Sequence, residues 1–234
     1  MAKIIFKSIE SKFYDLEARP YPAYGSIPDW WRSMGGMTKN PEREKSPEGQ
    51  HPTAKKCFPI LDGLTAGYII PLTTDVMVRK NFDDETTTMT WRPSDPPIEF
   101  WARDVSHGFE VPSNHHNQVY KLLAKWTIKT PKGYSCLFVH PFGYPNAPFK
   151  SIAGIVDTDE LETDINCPFT LDKEFEGILP AGTPMVQVIP FKRDDWQAEF
   201  RKGTIEEFTT KHNALFTKFW NAYGDKVHKK KRYR

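Results

Sequence analysis

The 234-residue sequence has only three cysteines, Cys57, Cys136 and Cys167. They are far apart, odd in number, and form no CxxC pair. That excludes a disulfide framework and a zinc ribbon, and predicts buried free thiols in a reducing compartment. Net charge is equally scarce: 32 basic against 30 acidic side chains leave +2, too little for the whole chain to act as a polyanion binder. No apolar run approaches the roughly 20 residues of a membrane helix. The opening Met1–Lys7 is too short and too charged for a signal peptide. The expectation is a cytoplasmic protein with no membrane partner. The glycine signatures of phosphate cradles, GxGxxG and GxxxxGK[ST], are missing. No GxSxG elbow surrounds Ser135 or Cys136.

Aromatic side chains and proline are plentiful. Aromatics make up 14% of the residues, and there are 20 prolines. Large aromatics bury much area per residue, so a real core is expected. The prolines divide the chain. Pro20, Pro22 and Pro28 forbid a regular element before about Asp29, where Asp29–Met34 has room for one helical turn. Gly35–Ala54, with Gly35-Gly36, Asn40-Pro41, Ser46-Pro47 and His51-Pro52, reads as a long exposed loop. From Cys57 to Phe191 the pattern is that of strands: Ala66–Leu72, Asp75–Arg79 paired with Thr86–Trp91 as a hairpin, Pro97–Ala102, Lys125–Thr130, Tyr134–Val139, Ile152–Val156, Ile165–Leu171 and Thr183–Phe191. Pro131-Lys132-Gly133 joins two of them in a turn.

Short strands split by proline and glycine turns predict a mainly β fold, a sandwich or partly closed barrel of β-clip or jelly-roll type. An extended N-terminal arm would precede it. Thr204-Ile205-Glu206-Glu207 is a capping box, and Phe208, Leu215, Phe216, Phe219 and Tyr223 follow at helical spacing. A helix over about Ile205–Tyr223 is predicted, stopped at Gly224 and packed on the sheet through its aromatic stripe. The predicted divisions are residues 1–54 (arm and loop), 55–195 (β domain) and 196–234 (helix with basic tail).

Two chemistries compete. His115-His116, His140 and Asp157 are the residue types of a two-His, one-carboxylate metal site, and a divalent ion is the one cofactor they allow. Adjacent histidines on a strand face opposite ways, so at most one of His115 and His116 could point inward. The other chemistry is binding without catalysis. Trp30 and Trp31 on the arm, and Lys229, Lys230, Lys231 and Arg232 at the tail, offer surfaces for other copies of the chain or other proteins. The tail also suits a phosphate backbone.

Two likenesses bear on this choice. Thr130–Tyr134, Gly154-Ile155-Val156-Asp157-Thr158-Asp159 and Gly182–Gln187, with a fainter echo at Ala66-Gly67-Tyr68, resemble the trimeric dUTPase and dCTP deaminase group. The resemblance implies that Asp157 contacts a sugar and aids attack by water and that Gln187 lies near phosphates; Asp159 and His140 are further ligand-binding candidates of a pocket on this side. The chain departs from that group where an Arg-Ser phosphate motif belongs, having His140-Pro141-Phe142-Gly143 instead. Without that Arg a triphosphate loses its charge-matched donors. Over Cys57–Phe191, the Cys57-Phe58-Pro59, Ala66-Gly67-Tyr68, Gly154–Asp159 and Ile189-Pro190-Phe191 segments also resemble a domain-of-unknown-function family of bacteria and tailed phages. That likeness implies no established activity and points toward a bacteriophage origin, with host or phage proteins as partners. The favoured expectation is a non-enzymatic binding or assembly module. The alternative is a nucleotide- or metal-dependent enzyme, or a small-ligand binder, with a pocket near Asp157 and His140.

Overall fold

The computed structural model describes residues 2–8, 19–39, 50–81, 87–92, 96–102, 104–216 and 223–234. In chain order its elements are β1 (Ile5–Lys7), β2 (Tyr21–Pro22), α1 (Asp29–Ser33), β3 (Met37–Lys39), β4 (Gln50–Pro52), α2 (Phe58–Thr65), β5 (Tyr68–Pro71), β6 (Val76–Lys80), β7 (Thr87–Thr90) and β8 (Ile98–Phe100). Then come β9 (Tyr120–Lys129), β10 (Tyr134–Val139), β11 (Phe149–Ser151), β12 (Gly154–Val156), β13 (Asp164–Leu171), β14 (Gly177–Leu179), β15 (Pro184–Lys192) and α3 (Ile205–Phe216). The chain forms two units: residues 1–32 and 63–193 with Tyr233, and residues 33–62 and 194–232 with Arg234.

The first unit is a sandwich-like β body. One sheet runs β1-β9-β13-β11, with β8 also paired to β9. A second runs β12-β10-β15-β5-β2, and a third is β14-β6-β7. All pairings are antiparallel. The inward faces meet in one apolar cluster that takes Leu122 and Ile128 from β9, Cys136 and Phe138 from β10, Phe169 and Leu171 from β13, Met185 and Val188 from β15, and Val76 and Val78 from β6. Strand β9 shows why: each second residue, Tyr120, Leu122, Ala124, Trp126 and Ile128, is buried. That is the period of a half-buried strand.

Several expectations shift here. The first residues are not an appendage, because Phe6 pairs with Ile128 inside the first sheet and Tyr21 pairs with Ile69 in the second. Residues Phe58–Thr65 are a helix, not a strand. Pro59 sits in its first turn, where a missing N–H costs nothing, and Gly67 follows its end with φ +69. Strands β11 and β14 escaped the sequence reading because three residues give no period.

In the second unit, the ends of the segment expected to be a loop are paired strands, Met37 with Pro52 and Lys39 with Gln50; residues 40–49 of that segment lie outside the described residues. The capping box at α3 is present in both directions, Glu207 N–H to Thr204 Oγ1 at 3.2 Å and Thr204 N–H to Glu207 Oε2 at 3.3 Å. Gly224 does not stop a helix; it lies inside a π-type turn, Tyr223–Val227. Phe208 is 70% exposed and does not pack as predicted. The side chains of Leu215, Phe216 and Phe219 lie outside the described residues. Among the described residues, no helix is long and apolar enough to cross a membrane.

Candidate functional site

Asp157 and Asp159 lie at the turn after β12, opposite the start of β10, and both face Arg193. Arg193 Nη1 and Nη2 reach Asp159 Oδ1 and Oδ2 at 2.7 and 2.5 Å, a two-pronged clamp. The N–H of Gly133 adds a third bond to Asp159 at 2.7 Å. Arg193 foremost, with the Gly133 amide, holds the Asp159 carboxyl down at about 2. Ser135 donates to Asp157 Oδ1 at 2.7 Å, and Arg193 lies 3.2 Å from the same oxygen. This cluster ties the β10 turn to the end of β15, with one guanidinium shared between two carboxylates.

Gln187 is 1% exposed and has each polar atom engaged. Its Oε1 accepts from Phe142 N–H at 3.1 Å, and its Nε2 donates to the carbonyls of Gly63 and Ala66 at 2.9 and 2.7 Å. It therefore holds the end of α2 and the loop after β10 together.

His140 stands at the other end of β10 from Asp157. Five residue steps from Ser135 separate the two by about 16 Å, at ~3.3 Å per residue. Its Nε2–H donates to the Tyr144 carbonyl at 2.8 Å, and its Nδ1 accepts from Ser151 N–H at 3.3 Å. The imidazole thus covers the outer edge of β11, an edge that would otherwise be open to another strand. Burial is the main reason that its pKa lies below the ordinary histidine value, and the charge of Lys150 adds to the effect.

His115 arrives from another direction. Residues 112–116 lie beside the end of β13: His115 bridges to Asp172, and His116 N–H donates to the Leu171 carbonyl at 2.9 Å. His115 is 6% exposed, with Nδ1 2.7 Å from Thr170 Oγ1. Desolvation pushes its pKa down. His116 turns the other way, to Thr87 Oγ1 at 2.8 Å, as adjacent residues on an extended chain must. So His115 and His140 share one neighbourhood, while His116 and Asp157 do not join them. Among the described residues, no three His, Cys, Asp or Glu side chains are grouped to hold a metal ion.

The shared neighbourhood is a cleft with two hollows. One, about 680 Å3, is lined by Asn114, His115, Asn146, Asp172, Glu174 and Phe175 among others. The second, about 610 Å3, is more apolar, with Phe109, Pro141, Phe142, Ile152 and Ala153. Pro112, His140, Pro145 and Lys150 line both. The acids of the first hollow are already engaged. Asp172 accepts from Asn114 Nδ2 at 2.7 Å and from Glu174 N–H at 2.8 Å, and Glu174 pairs with Lys80 at 2.7 Å.

No protein-family model matches the chain, and no curated protein matches its sequence.

The remaining nominated residues are placed as follows. Trp31 is buried in the body, and Trp30 donates from Nε1 to the Gly143 carbonyl at 2.8 Å. Gly143 must be small, since a Cβ there would lie 2.9 Å from Pro28. In the second unit, Lys231 and His228 both reach Asp62, at 2.5 and 3.1 Å, and the His228 ring stacks on Phe58. Lys229, Lys230 and Arg232 are exposed. The cysteines are free thiols, and burial pushes Cys167 up to about 12, leaving it inert as a nucleophile.

Sequence reasoning named His115 and His140 but missed Lys150, Asn114, Asn146 and Asp172. One signal was available. Pro141, Pro145 and Pro148 fall within eight residues, so 141–148 cannot join a sheet and must project as a rim.

Proposed function

We propose that the β body is a non-enzymatic binding module whose recognition surface is the cleft beside β11. The carrying observation is the pair of joined hollows, one polar and one lined by Phe109, Phe142 and prolines. Cavities of this size with a few converging polar groups on an apolar lining are the usual form of a binding site. Support for binding over catalysis comes from the side chains with chemical potential. His140 uses both ring nitrogens structurally, Ser135 and Asp157 serve the Arg193 clamp, and Ser151 Oγ donates to the Met185 carbonyl. A base committed to two fixed partners has no free position for a substrate proton.

The test is a thermal-shift screen of nucleotides, divalent ions and small metabolites on the wild type and on Ala153→Trp. Ala153 is exposed and lines the cleft, so the uncharged indole fills the space without disturbing the core. Compounds that raise the melting temperature of the wild type by a degree or more should lose that effect in the variant. Shifts that persist in Ala153→Trp place the site elsewhere. A hit that is converted rather than recovered unchanged overturns the non-enzymatic reading.

A further inference from the structure

We infer that the cleft seats the anionic head of a small amphipathic ligand, a carboxylate on an apolar or aromatic body, with Lys150 as its counter-charge and His115 beside it. The inference rests on the cleft being a binding surface. What it adds is the charge and shape of the occupant.

Four observations carry it. Lys150 is exposed, lies on the edge strand β11 and lines both hollows, at the junction of polar and apolar halves. Its ammonium has no hydrogen-bond or ion-pair partner among the described residues. The acids that could have taken that role are committed: Asp172 to Asn114 and the Glu174 amide, Glu174 to Lys80. Glu110 lines only the apolar hollow, so it steers an anion toward the polar one. His115 is buried on the polar side, held at Nδ1 by Thr170, with no partner for Nε2 among the described residues. A buried ring nitrogen left unpaired carries a desolvation cost that a ligand oxygen can relieve.

The same geometry makes the site proton-linked. The groups whose charge reaches His115 are Asp172, which favours the imidazolium, and Lys150 and His116, which oppose it. An anion beside Lys150 cancels part of that opposition. Carboxylate binding should therefore raise the His115 pKa, and by reciprocity a carboxylate should bind more tightly as pH falls and the ring takes up its proton.

Phenylacetate and phenylacetamide share shape and differ in charge, so they make the test. Each is titrated into the full chain and followed residue by residue by NMR, with wild type, Lys150→Met and Lys132→Met. Lys132 sits at the exposed β9–β10 turn, away from the cleft. The expected result has three parts. Phenylacetate shifts Asn114, His115 and Ile152 about tenfold more tightly than the amide, a difference of one charge-assisted contact. Lys150→Met removes that preference and Lys132→Met keeps it. The His115 ring titrates at higher pH with phenylacetate present. If both compounds bind the cleft equally, or Lys150→Met changes nothing, the anion seat is wrong and the binding cleft stands. If neither compound shifts the cleft residues, both readings fall.

Discussion

Gly67 and Gly133 both have positive φ, +69 and +83, yet their surroundings differ. A Cβ on Gly67 would lie 1.9 Å from the Val188 carbonyl oxygen, whereas nothing lies within 4 Å of one on Gly133. Gly133→Ala should cost about 1 kcal/mol, the left-handed penalty alone. Gly67→Ala should cost about 3 kcal/mol or more, because backbone must also move. Urea denaturation of the two variants measures the gap, and equal losses would deny the close approach. Asp159 gives a pH prediction at the same scale. Its carboxyl titrates at about 2 in the fold against an ordinary 3.8. The unfolded chain therefore takes up the proton first, so this contribution is whole above about pH 4 and is lost as pH falls toward 2. Asp159→Asn should flatten the acid limb of stability against pH between 4 and 2. The Gly133 turn was legible in the sequence because Pro131-Lys132-Gly133 is a local signal. The Arg193 partner of Asp159 was not, because 34 residues separate them and no local pattern records a pairing made by the sheet.

Among the strands, β9 is both the clearest in sequence and the least regular in structure. Between the pairs Thr127–Asp164 and Leu123–Asn166 it holds three residues where β13 holds one. Lys125, at the centre of that bulge, has φ +59, the one positive φ outside glycine among the described residues. Strand propensity predicts that Lys125→Ile helps. The bulge predicts the reverse, a loss of about 1 kcal/mol or more, since β-branched side chains fit the left-handed region worst. Thermal denaturation reads the sign. At α3 the capping box was legible and is present, and Thr204→Ala should cost about 1 kcal/mol of helix stability, seen as faster amide exchange over Ile205–Phe208. Alternation revealed the longer strands because their faces differ in burial. It failed at α2, where Phe58–Thr65 carries Pro59, Asp62 and Gly63 and shows no clear helical period, and at β3 and β4, which are three residues each.

For the whole β body, the cleft is where sheet edge, loop rim, buried His115 and half-buried His140 come together, and this is what composition could not show. His115 and His140 were legible as chemical residue types; their convergence depends on β13 placing Asp172 beside residue 115 and on β11 lying under the His140 ring. Both imidazoles have pKa values below the ordinary 6.5. The unfolded chain again protonates first, so stability is full above about pH 6.5 and declines below it, by at most ~1.4 kcal/mol per pH unit for each ring. His140→Asn keeps an acceptor for Ser151 N–H and should flatten that decline between pH 6.5 and 5. The most direct test of the binding cleft is a fragment screen of the full chain by amide NMR. The account predicts that hits perturb Asn114, His115, Lys150, Ser151 and Ala153 together. Hits centred on Asp157, Asp159 and Arg193, or scattered over the body without a common focus, would contradict it.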